Sequence, residues 1–174
     1  MKILHLCPAS LATGGTEGIH NLVSHLNACG ADAKILYVGK DLKHPQPTEY
    51  AKYNCEYITE FPHHFDGVVI FPEVWGNEVI KPEYKNCLTS IHWQGVDVYD
   101  WHTPKHERGL YLQSRSTVHI VASEYARVTL QSRGLTPVKI SDCLNDDYFE
   151  NFGVEYERTN TVLYNPVRVK MTTS

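Results

Sequence analysis

The chain has 174 residues, of which 42% are hydrophobic and 21% are charged, and its formal net charge is -4 at neutral pH. This composition predicts one soluble globular domain of ordinary size and argues against a disordered chain. The negative charge, without a stripe of lysine and arginine, argues against nucleic-acid binding. No apolar run approaches the roughly 20 residues that a membrane span requires.

The first part of the chain predicts a βαβ unit. Lys2 to Cys7 is a short apolar run that ends at a proline, as expected for a buried parallel strand. From Thr16 to Ala28 the apolar residues recur at helical spacing, with Thr13 or Thr16 as the cap and Gly30 as the stop. Ala33 to Val38 then gives the second strand.

The middle of the chain continues this alternation of strands and helices. Lys40 to Lys52 is polar and predicts a loop, and Ser123 to Arg133 predicts a helix with Ser123 as its N-cap. The further strands predicted are Cys55 to Ile58, Asp66 to Phe71, Asn86 to His92, Thr117 to Ala122 and Val138 to Ser141. The pattern predicts an α/β fold with a doubly wound, mostly parallel, Rossmann-like sheet.

The last part of the chain differs from the rest. Asn145 to Asn160 is acidic and polar and predicts a linker, and Thr161 to Tyr164 reads as a new strand close to the end. We therefore divide the chain into a Rossmann-like domain, residues 1–150, and a segment, residues 151–174, that holds a linker and the first strand of a further domain.

The cysteines and histidines predict no disulfide framework and no metal centre. Five cysteines lie far apart in the sequence, which is typical of reduced, mostly buried thiols in a cytoplasmic protein. Ten histidines match no zinc-binding spacing, so we expect them at the surface or in loops. The N-terminus has no signal-peptide pattern.

The glycine pair Gly14 and Gly15 separates the first strand from the helix. A dinucleotide site would need GxGxxG and a P-loop would need GxxxxGK[ST], and neither spacing is present. Two interpretations stay open, namely an anion site at the helix N-terminus beside Thr16 and Glu17, or a tight turn. The Glu17 carboxylate would repel a phosphate unless its side chain is directed elsewhere.

Two further groups of polar residues follow predicted strands, where ligands of open parallel sheets collect. After the fifth strand, His92, Trp93, Gln94 and Asp97 have the composition of a sugar site, in which an aromatic ring stacks on the sugar. The equally supported alternative is that Trp93 packs beneath the loop and His92 is a loop histidine with satisfied hydrogen bonds. Glu73, after the fourth strand, is a candidate ligand contact, although a solvated loop acid is the favoured interpretation.

Four segments in this order resemble a known family. KILHLCPASLATGGTEG with its helix and second strand, then TSIHWQG, IVASEYARVTLQSRGL and TVLYNPVR, are similar to the N-terminal half of a GT-B-fold retaining glycosyltransferase. Within these glycosyltransferases, the segments resemble the sucrose-synthase-like enzymes, also called glycosyltransferase group 1. LNDDYFE lacks the N-G-V part of the corresponding family segment. The family's second half, which carries a paired acidic motif, is absent from the chain.

The resemblance implies transfer of a sugar from a nucleotide-sugar donor to a saccharide or lipid-linked acceptor, with retention of the anomeric configuration. It implies no metal and no other cofactor. Gly14 and Gly15 would lie near the donor diphosphate, Glu17 would order the loop or bind the acceptor, and His92 would contact the transferred sugar.

The family's organisation implies further partners and a location. This chain would be the acceptor-side half and would need a C-terminal donor-side domain, without which we expect little or no transferase activity. The resemblance implies a cytoplasmic protein that can work at the inner face of the membrane. Two alternatives stay open: a GT-B-fold sugar-nucleotide epimerase, and a non-catalytic module that binds carbohydrate or a protein partner.

Overall fold

Seven parallel strands form one open sheet in the computed structural model, which describes residues 1–73, 82–95, 118–132 and 134–140. Within these ranges two α-helices accompany the strands: α1 (Gly14–Ala28) follows β1 and α2 (Glu124–Gln131) follows β6. The strands are β1 (Lys2–Pro8), β2 (Asp32–Val38), β3 (Tyr57–Ile58), β4 (Val68–Pro72), β5 (Leu88–Trp93), β6 (Val118–Val121) and β7 (Val138–Lys139).

The strand order is β3-β2-β1-β4-β5-β6-β7, and every neighbouring pair is parallel. This order confirms the predicted α/β, doubly wound, Rossmann-like sheet. β1 and β4 are neighbours in the sheet. After β1 the chain continues to β2, on the side of β1 away from β4, and after β4 it continues to β5, on the side of β4 away from β1. The carboxyl ends of β1 and β4 therefore flank the switch point, where open α/β sheets bind ligands.

Side chains alternate between the two faces of the sheet, and each face has its own apolar core. On one face, Ile3 of β1 and Ile35 of β2 pack with Ile19 and Val23 of α1. On the other face, Leu6, Phe71 and Trp93 pack with Leu130 of α2. Burial of each such side chain contributes on the order of 2 kcal/mol, so the apolar pattern of the strands fixes the sheet between two helical layers.

The start of α1 is set by a reciprocal cap. The Thr13 hydroxyl accepts a hydrogen bond from the Thr16 amide, and the Thr16 hydroxyl accepts one from the Thr13 amide at 3.0 Å. Thr13 is therefore the N-cap, and the helix begins at Gly14, two residues earlier than predicted. Gly14 and Gly15 belong to the first helical turn rather than to a loop before it. Gly30, with φ at +84°, follows the helix end as expected.

The segment predicted as a loop from Lys40 to Lys52 contains the start of a 3-10 helix, Thr48–Tyr53. Tyr50 and Tyr53 are both buried, and their spacing of three places them on one face of a 3-10 helix. Two buried residues are too few for a recognisable period, which is why the sequence did not predict the helix. The third strand is also shorter than predicted, at Tyr57–Ile58.

The last described elements agree with the prediction in type. The Ser123 hydroxyl accepts a hydrogen bond from the Ala126 amide at 3.1 Å, which confirms Ser123 as the N-cap of α2. Arg133, Ser141, the linker and the strand predicted at Thr161 to Tyr164 lie outside the described residues, so the division at residue 150 stays a prediction. In the described ranges, no helix is both long enough and apolar enough to span a membrane.

Candidate functional site

Gln94 connects the end of β5 to the first turn of α1. Its side-chain Nε2 donates a hydrogen bond to the Gly15 carbonyl at 2.7 Å. A Cβ atom at Gly15 or Gly18 would lie 3.0 Å from the end of the Gln94 side chain, whereas a Cβ atom at Gly14 would meet no atom within 4 Å. Gly15 and Gly18 therefore permit the close approach of Gln94, and Gly14 borders open space.

Glu73 holds the turn that follows β5. Its side chain is buried, and its two oxygens accept hydrogen bonds from the Gly95 amide at 3.0 Å and the Gln94 amide at 3.3 Å. Burial raises the pKa of Glu73, against the opposing effect of these backbone donors. The favoured interpretation of Glu73 as a solvated loop acid is wrong, because the carboxyl group lies inside the protein and fixes the backbone of Gln94.

Thr16 and Glu17 order the start of α1. The buried Thr16 hydroxyl donates to the Leu11 carbonyl at 2.8 Å. Glu17 accepts a hydrogen bond from the Tyr53 hydroxyl at 2.7 Å and pairs with the Lys52 ammonium at 3.2 Å. The Tyr53 hydrogen bond, followed by Lys52, lowers the pKa of Glu17. The carboxylate is thus directed toward the 3-10 helix and partly neutralised, which weakens its repulsion of an anion at the helix N-terminus.

His92 lies within β5 and contacts a second histidine, His5 of β1. Its Nδ1 atom lies 3.1 Å from the Nε2 atom of His5, and the two rings meet edge to face. Burial lowers the pKa of His92 to about 4, and burial together with the neighbouring His92 lowers the pKa of His5 to about 3. Both imidazoles are therefore neutral near neutral pH. Among the described residues, His92 Nε2 has no hydrogen-bond partner.

The expectation of surface or loop histidines is wrong for four of them. The four lie in strands or in α1 and are buried: His5, His20, His92 and His119. Burial is tolerated because each of the four rings has at least one polar partner. His20, for example, bonds to the Thr16 carbonyl at 2.7 Å and to the Tyr37 hydroxyl at 2.6 Å. The sequence signal for His5 was its position inside the apolar run of β1, where a polar residue is uncommon.

Trp93 lies on the opposite face of the sheet from His92, since successive strand residues alternate. Its side chain is fully buried in the core beside α2, and its indole N–H donates to His119 Nδ1 at 3.1 Å. No surface of this ring is open for stacking on a sugar. Of the two interpretations of Trp93, the one in which its ring packs inside the protein agrees with the structure. Asp97 lies outside the described residues.

The structure thus joins several of the predicted residues at the switch point. Glu73 fixes the backbone of Gln94, and the Gln94 side-chain Nε2 donates to the Gly15 carbonyl. His92, in β5, precedes Gln94 by two residues. Gly14 and Gly15 lie in the first turn of α1, where backbone amides have no carbonyl partner within the helix and suit an anion. The first turn of α1, with its backbone donors, therefore lies next to Gln94, two residues after the neutral His92.

Within the described ranges, no group of three or more histidine, cysteine, aspartate or glutamate residues lies together as metal ligands would. The four described cysteines, Cys7, Cys29, Cys55 and Cys87, are free thiols. A comparison with protein-family models and a comparison with curated proteins both found no match to this chain.

Proposed function

We propose that the chain is the acceptor-side half of a retaining glycosyltransferase that uses a nucleotide-sugar donor. One observation carries the proposal: a buried, neutral His92 lies one residue before the end of β5, with its Nε2 atom unpartnered among the described residues. Two residues later, Gln94 binds the first turn of α1 at the switch point of the sheet. The family resemblance assigns His92 and the Gly14–Gly15 segment to the cleft.

Each part of this site has a role in the proposed reaction. The amides of Gly14 and Gly15, with the positive end of the α1 dipole, suit a diphosphate that gains charge as it leaves. The neutral His92 ring suits a sugar hydroxyl, because a neutral imidazole can exchange hydrogen bonds without adding charge. The Gln94–Gly15 hydrogen bond holds the first turn of α1 at a fixed distance from the end of β5, which carries His92. The cations that complete diphosphate binding would come from a donor-side domain.

The identity of the partners belongs to the same proposal. The acceptor would be a saccharide or a lipid-linked saccharide, and the protein would work in the cytoplasm, at the inner face of the membrane when the acceptor is lipid-linked. No metal ion takes part in the proposed chemistry. An epimerase or a non-catalytic binding module would use the same cleft and is distinguished by the experiment below.

The test is a thermal-shift titration of the chain with UDP-glucose, UDP-N-acetylglucosamine, GDP-mannose, UDP and GDP. A ligand present at a hundred times its Kd stabilises a protein of this size by about 5–10 °C. We expect at least one nucleotide sugar to raise the melting temperature of the wild type and of His119→Gln, whose altered ring lies on the opposite face. We expect His92→Gln to lose most of that shift.

The outcomes separate the candidate functions. A panel without any shift, or equal shifts in both variants, would contradict the proposed site. A nucleotide sugar that binds and is converted to its isomer without an acceptor would instead identify an epimerase. Binding of free saccharides such as maltose, without any response to nucleotides, would identify a non-catalytic module.

A further inference from the structure

The two histidines in contact, His5 and His92, share a single hydrogen between them. His5 Nε2 and His92 Nδ1 are 3.1 Å apart, and both side chains are almost completely buried. Since a hydrogen bond needs one donor and one acceptor, one of these nitrogens carries a proton and the other is bare. The direction of this bond decides which nitrogen of His92 is available to a ligand.

The backbone of β1 fixes the direction. The other nitrogen of His5, Nδ1, lies 2.9 Å from the Leu6 carbonyl oxygen. A carbonyl oxygen only accepts, so His5 Nδ1 must carry the hydrogen. A neutral imidazole has only one such hydrogen, and His5 Nε2 is therefore bare and accepts from the Nδ1–H group of His92. His92 donates its only ring N–H hydrogen to His5, so its own Nε2 carries no hydrogen and can only accept.

We propose that His5 is a positioning residue that holds His92 in the Nδ1–H form, so that His92 Nε2 accepts a hydrogen bond from a ligand hydroxyl. The inference rests on the proposed function for the identity of that ligand, a saccharide. It also fixes the direction of the hydrogen bond, since the ligand must donate to His92 Nε2. A sugar position that carries only an acceptor, such as a fluorine in place of a hydroxyl, would leave two acceptors facing each other.

His92 differs from His20, which is buried on the same face of the sheet. His20 has partners on both ring nitrogens, the Thr16 carbonyl and the Tyr37 hydroxyl. Its hydrogen bonds are complete inside the protein, and it has no capacity left for a ligand. His92 has one partner among the described residues, and a buried polar atom without a partner is costly to keep.

The experiment is long-range proton–nitrogen NMR of the ligand-free chain labelled with nitrogen-15, which separates a protonated ring nitrogen from a bare one. We expect both His5 and His92 in the Nδ1–H form in the wild type at neutral pH. A hydrogen on His92 Nε2 in the wild type would overturn the proposal directly, without any variant.

Variants at His5 test whether it causes this state. In His5→Leu the acceptor is lost, and we expect His92 to shift its hydrogen to Nε2. In His5→Gln the amide oxygen can accept from His92, and we expect the Nδ1–H form to be restored. His20→Gln removes a buried histidine whose hydrogen bonds go to Thr16 and Tyr37 rather than to the pair, and should leave the His92 signals unchanged. Retention of the Nδ1–H form in His5→Leu would contradict a positioning role for His5.

The binding measurement keeps this proposal separate from the proposed function. If UDP-glucose or another member of the panel binds, His5→Leu should weaken its affinity about three- to tenfold, the worth of one hydrogen bond, and His5→Gln should recover most of it. An Nδ1–H state with no binding would contradict the proposed function alone. Binding to a wild type in which His92 Nε2 carries the hydrogen would contradict this inference alone.

Discussion

Acidification should destabilise this protein already at a mild pH, because two of its histidines are buried as neutral rings. Burial lowers the pKa of His5 from 6.5 to about 3 and that of His92 from 6.5 to about 4. Their contribution to stability is complete above pH 6.5. It is lost as the pH falls from 6.5 toward 4 and 3, because the unfolded chain binds protons that the folded chain excludes.

The size of the loss follows from these values. Each histidine that protonates only in the unfolded state costs about 1.4 kcal/mol for each pH unit below 6.5. At pH 5.0 the two together cost about 4 kcal/mol. Native domains of this kind have a total stability of about 5–15 kcal/mol, so this loss removes a large share of it.

Other titrating groups act on the same window in known directions. Burial also lowers the pKa of His20 and His119, which adds to the loss. Burial raises the pKa of Glu73, so protonation of Glu73 favours the folded state and offsets part of it. The Tyr53 hydrogen bond and Lys52 lower the pKa of Glu17, whose contribution is lost only below the ordinary glutamate range near pH 4.5.

The assay is urea unfolding followed by circular dichroism at pH 7.5 and at pH 5.0, at one salt concentration. We expect the free energy of unfolding to fall by about 4 kcal/mol with an unchanged dependence on urea concentration. His5→Leu should lose only about half as much over the same interval, since one of the two rings is gone. A wild-type loss below about 1 kcal/mol, or a gain, would refute the assignment of His5 and His92 as buried neutral rings.

Two further predictions concern the backbone around the site. Gly67→Ala should destabilise the protein by about 2 kcal/mol, because its Cβ atom would lie 2.5 Å from the Lys2 carbonyl oxygen. Gly14→Ala, with no atom within 4 Å of its Cβ, is the matched control and should change stability by less than about 0.5 kcal/mol in urea unfolding. Thr13→Ala should cost about 1 kcal/mol through loss of the α1 cap. An unchanged urea midpoint in Thr13→Ala would show that the cap does not limit the stability of the fold.

The type and order of the elements could be predicted because they depend on local patterns. The short apolar runs of β1 and β2 and the period near 3.6 in α1 are visible in short windows of sequence. Gly30 and Gly134 follow their helices in the left-handed conformation that glycine adopts readily. The boundaries were less accurate where a side-chain cap, such as Thr13, decides the first residue.

The candidate site depends on contacts between distant residues, and these were not predictable from local patterns. His5 and His92 are 87 residues apart in sequence, and Gln94 and Gly15 are 79 residues apart. Trp93 is a different case. The predicted strand ended at His92, so Trp93 was interpreted as a loop residue, whereas one more strand residue would have placed it on the face opposite His92.

The surroundings of His5 do not require a polar side chain, which supports our proposal that the pair serves a ligand. Its neighbours on the α1 face of the sheet, Ile3, Cys7, Ile35 and Ile70, are apolar, and a leucine at position 5 would meet the same surroundings without an acid-sensitive group. His5→Leu should therefore raise the stability at acid pH and change the protonation of His92. The variant should resist acid better than the wild type while losing the Nδ1–H form of His92. A variant that gains acid resistance and keeps the His92 tautomer would show that the histidine pair is a packing feature only.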